Sequence, residues 1–411
     1  MSSATTYLIL ACVGLVFSAL TLFRVRWFAQ WTIPTFVVGW LRGELALQTI
    51  LLEVAGSFYF WRAGALEQPS GQLALLLCGV SWIGLGLCVR RSLRTGDQIA
   101  AALEPAGIRF KNELALWHGF AKPFGFKHPE VKTIRNLVYG DSLPGDKGGR
   151  NLLDLVVPRS AKQGDGCPVL LQIHGGGWMI GDKREQAKPL MTHLASKGWI
   201  SVAINYRLSP KATMPDHIVD VKRAIAWIRE NIEAYGGDPN FLCVTGGSAG
   251  GHLSSLAALT PNDPLFQPGF EGVDTTLDGC VPFYGVFDFV DRAGDRPFGS
   301  MSDMIGPRVF KSKPVENPEL WDAVSPITRV HREAPPFFVV QGSHDSLVFP
   351  EEAVRFVSAL REKSTQLVLH AELLGAQHAF EFFHSPRTTQ TVRGVTAFLE
   401  RVHSEYRSRA A

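Results

Sequence analysis

The chain has 411 residues, 46% of them hydrophobic, and its 41 basic and 38 acidic side chains leave a net charge of +3. That length suits two or three domain-sized units; the apolar fraction excludes intrinsic disorder, and 40 Gly without a G-X-Y repeat exclude collagen. So small a net charge implies no polyanion-binding field, and nucleic acid is not an expected partner. The charge is nonetheless uneven, with seven Arg against three Glu in residues 1–96 and near balance beyond.

Residues 7–23 are uncharged and rich in Leu, Ile, Val, Ala and Phe, and the run stops at Arg24 and Arg26. Residues 73–89 repeat the design and stop at Arg90, Arg91 and Arg94. With neutral flanks, each approaches the ~20 residues that cross a hydrocarbon layer, where only a self-bonded helix is tolerated. Residues 45–61 form a weaker candidate, interrupted by Glu53. Basic flanks prefer the cytoplasmic side, so placing both arginine clusters there requires a crossing between them. Residues 1–96 therefore read as a membrane region with two or three transmembrane helices, a lipid bilayer as partner and a cytoplasmic C-terminal domain behind it. The competing readings are buried soluble helices or a signal peptide; a signal opens with positive charge, and nothing basic precedes Arg24. Residues 97–132, with Pro105, Pro123, Pro129 and the apolar Leu114, Trp117 and Phe120, read as linking helices.

Over residues 133–405 short apolar runs alternate with amphipathic ones. Runs 152–157, 169–173, 200–204, 242–244, 279–284, 337–340 and 367–369 read as strands. Residues 216–233 read as a helix, with Ile218, Val221, Ile225, Ile228 and Ile232 on one face, Pro215 at its start and Gly236-Gly237-Asp238-Pro239 at its end. The fold class is α/β, a mostly parallel sheet with helices on both faces, whose ligands sit beyond the carboxyl ends of the strands. Six cysteines (Cys12, Cys78, Cys88, Cys167, Cys243, Cys280) stand singly in apolar runs as small hydrophobes, and no H-E-x-x-H occurs, so neither a disulfide framework nor a zinc site has support.

Two glycine motifs follow strands. His174-Gly175-Gly176-Gly177-Trp178 lets backbone N–H groups approach a ligand and bind a developing oxyanion, or else is a tight loop. Gly246-Gly247-Ser248-Ala249-Gly250-Gly251 is G-x-S-x-G between a strand and a helix, the setting of a serine nucleophile. A phosphate loop would share that setting but would close with a Lys, which is missing here. A serine needs a base, and the base an orienting acid, in the chain order Ser, acid, His. Asp345, after run 337–340, and His378, after the last run, fill those places. Asp288 is a rival acid; His344, His370 and His384 are rival bases, with His384 expected at the surface and His370 projecting from the sheet face.

Together these residues resemble the hormone-sensitive-lipase-like α/β-hydrolases, and residues 152–259 are similar to bacterial, mycobacterial-type carboxylesterases and lipases. The resemblance covers about 133–405 and implies an eight-stranded α/β-hydrolase fold. By position it implies Ser248 as nucleophile, His378 as general base and Asp345 as its orienter. It further implies an oxyanion hole of the Gly175, Gly176 and Ala249 amides, with His174, Gly177, Gly246 and Gly250 supporting the motifs. Two departures stand out. Ala379 follows the histidine where the family often has Gly, and the apolar N-terminal segments are foreign to many soluble members, whose N-terminal helices cap the site. Residues 97–130, helped by 291–330, are the candidate cap here. The expected function is that of a membrane-anchored serine carboxylesterase or lipase acting through an acyl-enzyme on a small lipophilic ester, without metal or cofactor. An amide hydrolase (arylformamidase- or deacetylase-like) shares the triad, and a non-catalytic scaffold shares the fold. Trp178, Phe283, Tyr284, Phe287 and Phe349 are candidate pocket residues whose competing role is core packing.

Overall fold

A computed structural model describes residues 1–24, 32–112, 120–140, 150–296, 303 and 305–410. The continuous apolar runs become a single sheet of eight strands: β1 Val131–Val138, β2 Leu152–Pro158, β3 Cys167–Ile173, β4 Ile200–Ile204, β5 Gly237–Gly247, β6 Gly279–Phe283, β7 Phe337–Gly342 and β8 Val368–Leu373. Their spatial order is β1-β2-β4-β3-β5-β6-β7-β8; β2 is antiparallel to β1 and β4, and the other pairings are parallel. Only β1 goes unannounced by the hydrophobic pattern. It is a charged edge strand with a bulge between Ile134 and Leu137, where Asn136 at φ 58° donates its N–H to Asp154 Oδ1 at 2.8 Å.

Alternation along β3 splits the core between the two faces. Val169, Leu171 and Ile173 join one cluster with Ile218, Ile225 and Leu253, while Leu170 faces the other with Phe241 and Phe398. The expected helix 216–233 is found as Asp216–Asn231 with a 3-10 turn Ile232–Tyr235, and its six isoleucines and valines, Val219 included, are buried. The sheet starts at Val131 rather than 133, and the last helix, Pro386–Ala410, passes residue 405.

Among the described residues, the helices before the sheet include α1 Ser3–Leu22, α2 Thr32–Glu44, α3 Ala46–Arg62, α4 Pro69–Leu93 and α5 Thr95–Leu103. Ser3–Leu22 and the stretch Pro69–Ala106 are long and apolar enough to cross a membrane, whereas α2 and α3 are bent by 86° at their junction. α1 and α4 run the same way. Tyr7 clusters with Ala74 and Cys78, Ser18 Oγ lies 2.8 Å from Ser81 Oγ, and Arg91 Nη1 donates to Leu22 O at 3.4 Å. α3 runs the other way, with Phe60 stacked on Tyr7 at 4.8 Å and Ala46 beside Leu22 and Leu85. Glu53, the interruption in the third apolar run, is paired: Arg42 Nη2 donates to it at 2.7 Å and Ser81 Oγ at 3.2 Å. Cys12 is exposed on α1, unlike the buried thiols at 78, 88, 243 and 280.

Of residues 97–130, the candidate cap, all but 113–119 are described, and parts of the described stretch pack beside the sheet and against residues 383–384. Ile99 and Leu103 of α5 are fully buried on the flank, where a Cβ added to Gly394 would fall 2.2 Å from Ile99 Cγ2. Farther along, Phe124 meets Phe383 and the His384 N–H donates to Pro123 O at 2.8 Å; Leu114 and Trp117 lie outside the described residues. Within 291–330, Phe310 stacks on Trp321 at 3.5 Å in the core. α2 reaches the carboxyl rim of the sheet.

Candidate active site

Ser248 stands between β5 and the helix Ala249–Leu259 at φ 58°, ψ −120°, a conformation that costs ~1–3 kcal/mol and persists only where the surroundings impose it. They do: its N–H donates to Phe283 O at 3.0 Å, and its carbonyl accepts the His252 N–H at 2.9 Å. The turn closes so tightly that a Cβ at Gly250 would sit 2.1 Å from Ile173 O, and one at Gly246 would sit 2.4 Å from Gly250 O. The partly buried Ser248 is thus presented at a helix N-terminus, the positive end of its dipole.

The first glycine loop lies against this elbow, since a Cβ on Gly175 would fall 3.1 Å from Ser248 Cβ. Gly176 (φ 117°) and Gly177 (φ 59°) both adopt left-handed backbone. One expectation is corrected here. The Gly175 N–H already donates to Oε1 of the buried Gln186 at 2.7 Å, so it is not an amide waiting for an oxyanion. His174 is inside the loop, stacked on Tyr206 at 4.4 Å with Nδ1 2.8 Å from Gly175 O, and burial pushes its pKa down to about 4.

Asp345 and His378 meet at the ends of β7 and β8, with His378 Nδ1 2.7 Å from Asp345 Oδ2. Asp345 is fully buried. Its Oδ1 accepts the N–H groups of Leu347 and Val348 at 2.9 and 2.8 Å, and its Oδ2 accepts Gln341 Nε2 at 3.1 Å. Gln377 pins both loops, accepting the Ser346 and His378 N–H groups at 2.8 and 2.9 Å. Ala379 sits at φ 61°, which explains the family's glycine at this place and the strain its methyl carries.

Tyr284 ties the serine side to the histidine side. Its ring lies 4.4 Å from that of His378, and a Cβ on Gly247, the residue before Ser248, would fall 2.7 Å from its hydroxyl. That hydroxyl donates to the buried Glu381, whose carboxyl burial raises to about 7. Gln186, Gln341, Gln377 and Glu381 escape sequence reasoning because each acts through a side chain brought in by the fold, without a spacing signature; Tyr284 is visible there only as one of several aromatics.

The rivals are placed elsewhere. Asp288 accepts the Arg292 N–H at 2.9 Å and pairs with its guanidinium; His344 Nε2 lies 3.0 Å from Leu22 O. His370 is on β8, and His384 is half-buried beside Phe126 rather than at the surface, because residues 123–126 fold over it. Of the candidate pocket aromatics, Trp178 and Phe287 are core. Trp178 Nε1 donates to His252 at 3.3 Å, and Phe287 stacks on Phe356 at 4.1 Å. Phe349 lies under the Arg24 guanidinium.

This strand order, with a serine elbow after β5, an acid after β7 and a histidine after β8, defines an α/β-hydrolase. The BD-FAE family model matches residues 153–360. The chain is 42% identical over 378 residues to a probable carboxylic ester hydrolase, LipM, of Mycobacterium tuberculosis, covering 90% of this chain and 87% of that protein. It is 47% identical to esterase LipQ of the same organism, covering 88% and 84%. Coverage this wide takes in much of residues 1–96 as well as the sheet. Among solved structures, esterase B from Lactobacillus rhamnosis superposes with a TM-score of 0.56 at 20% identity, over 78% of this chain and 98% of that one. Thermogutta terrifontis esterase 2 gives 0.53 at 24%, over 67% and 96%; both likenesses concern the fold. The chain belongs to the hormone-sensitive-lipase-like carboxylesterase group of α/β-hydrolases and is a carboxylesterase-type hydrolase.

Proposed function

We propose a membrane-anchored serine carboxylester hydrolase that cleaves lipophilic esters through an acyl-enzyme, with its catalytic domain on the cytoplasmic side. His378 takes the proton of Ser248 as the oxygen attacks the ester carbonyl; Asp345 holds the imidazole in the required orientation. The tetrahedral oxygen is received by the amides of Gly176, Gly177 and Ala249, Gly175 being engaged by Gln186. His378 then protonates the leaving alcohol, and water repeats the sequence on the acyl-serine. The observation that carries this reading is the 2.7 Å His378–Asp345 contact on the rim that also holds the strained Ser248.

The membrane part of the proposal draws on the parallel α1 and α4, the opposed α3, and outward-facing Ile9, Leu10, Leu51, Leu52, Leu76 and Ile83. Two like-directed apolar helices bring Arg24 to the same side as Arg90, Arg91 and Arg94, as three crossings require. A fluorophosphonate probe should label the wild type and not Ser248→Ala, which should also lose ester turnover. Wild-type turnover in that variant refutes the nucleophile assignment, and faster cleavage of a matched anilide than of its ester refutes the ester preference.

A further inference from the structure

The helix lying across the rim belongs to the N-terminal region rather than to the α/β domain. Phe36 of α2 meets the His378 imidazole edge-on, ring centres 5.7 Å apart and planes at 82°. One turn on, Trp40 packs on Phe382 and Phe383 at 5.3 and 5.6 Å. α2 is fastened at both ends: Ser346 Oγ donates to Thr32 O at 3.2 Å, and Glu44 accepts Arg387 Nε at 2.6 Å and Ser385 Oγ at 2.7 Å. Between them, Gly39 rests on Gln377, where a Cβ would fall 3.3 Å from Nε2. The ends of α1 and α4 reach the same place: Leu22 O faces His344, and a Cβ on Gly375 would strike Arg91 Cδ at 2.8 Å. The loops that carry Asp345 and His378 therefore abut the ends of two helices whose outward faces are apolar.

We infer that the ester reaches Ser248 from the bilayer, beneath α2, and that Phe36 is a specificity-determining residue that limits the acyl chain admitted beside His378. The substrate class is then a membrane-resident lipid ester rather than a short ester taken from water. This rests on the membrane-anchored hydrolase reading. The physical reason is the wall itself. Phe36, Trp40, Phe382 and Phe383 offer ring surface suited to hydrocarbon, and a chain entering under α2 leaves lipid for that surface without crossing water.

The test uses the full chain reconstituted in phosphatidylcholine vesicles, with p-nitrophenyl laurate and p-nitrophenyl butyrate as substrates. Laurate hydrolysis should follow the ester's mole fraction in the vesicle and fall as phosphatidylcholine is added at fixed total ester. Phe36→Ala should raise the laurate-to-butyrate ratio of kcat/KM about tenfold, and Phe36→Leu less, in the same direction. Should Phe36→Ala lose fluorophosphonate labelling through misfolding, the Phe36→Leu ratio decides. A labelled wild type that floats with vesicles, yet turns over in proportion to total ester whatever the lipid, overturns bilayer entry and leaves the hydrolase intact. Variants that scale both substrates equally overturn the role of Phe36. A wild type that neither labels nor floats overturns the underlying reading and this one with it.

Discussion

The Glu44–Arg387 pair is the sharpest test of how the N-terminal helices are held on the catalytic domain. Both side chains are about 1% exposed, with Arg387 Nε 2.6 Å from Glu44 Oε1 and Ser385 Oγ 2.7 Å from Oε2. Glu44→Leu removes both acceptors and leaves a buried guanidinium with its Nη1 bond to Leu374 O at 2.9 Å. Orphaning one member of such a pair costs about 3–5 kcal/mol. A further ~0.3–1 kcal/mol goes with the anion at the N-terminus of the helix Pro386–Ala410. For a chain of this size that is a fall in Tm of about 4–8 °C, readable by scanning fluorimetry on the vesicle-bound protein. Arg387→Met in the same background should recover most of it, because an apolar pair of similar volume carries no desolvation cost; the coupling should exceed about 2 kcal/mol. A single variant that costs under about 1 kcal/mol, or a double variant no better than the sum of the two, refutes the claim that this ion pair clamps α2 to the rim.

Asp345→Asn should cut kcat by about 10³- to 10⁴-fold by favouring the wrong imidazole tautomer, while Glu381→Gln should hold kcat within about tenfold; equal losses in steady-state assays contradict the division of roles. Ala379→Gly should remove the methyl from a left-handed residue and raise stability by about 1 kcal/mol with turnover unchanged, and a lowered Tm would count against that strain. Burial holds the pKa of His174, His252 and His370 down to about 4 and that of His217 to about 3, so the unfolded chain binds these protons near 6.5 while the folded one does not. Their contribution is therefore full above 6.5 and is lost as pH falls toward 4 and 3. Glu381, raised to about 7 from 4.5, works oppositely, contributing most below 4.5 and losing that as pH rises through 7. Burial holds His193 near 4 as well, so among the most strongly shifted groups in this window five histidines oppose one carboxyl; this predicts a Tm that drops between pH 6.5 and 4, and a flat Tm over that window would show that the burial cost is relieved.

What the sequence makes legible follows the two periodicities. β4, β6 and β7 are buried on both faces, so they appear as mostly apolar runs, while β8 shows only a short run before the exposed Glu372, and the helix Asp216–Asn231 shows its stripe of isoleucines. β1 hides because Lys132 and Arg135 interrupt it and half of it meets solvent. Ser248 and the glycine loop are legible because backbone geometry demands glycine at fixed offsets; Asp345 and His378 are legible through chain order. Gln186 is not, since nothing local says that a side chain eleven positions on will take the Gly175 amide. Nor is α2 as the covering helix: residues 32–44 carry Arg42 and Glu44, which spoil them as an apolar run, and the meaning of both charges lies in distant partners, Glu53 and Arg387.

Two carboxyl groups stand close to one imidazole, and their surroundings keep them from competing. Asp345 is met by four donors: the N–H groups of Leu347 and Val348, Gln341 Nε2 and His378. Glu381 is fully buried and faces the phenol of Tyr284, so desolvation dominates and its carboxyl titrates near 7. The positive charge that His378 gains when it takes the serine proton therefore finds Asp345 in contact, while the Glu381–Tyr284 pair supports the ring through the 4.4 Å packing of Tyr284. Environment rather than residue type assigns the roles: an acceptor ringed by donors orients the base, and an acid held out of water stiffens the shelf beneath it. The same shelf reaches Gly247, one residue before Ser248, so a rearrangement of Tyr284 shifts the elbow and the imidazole together.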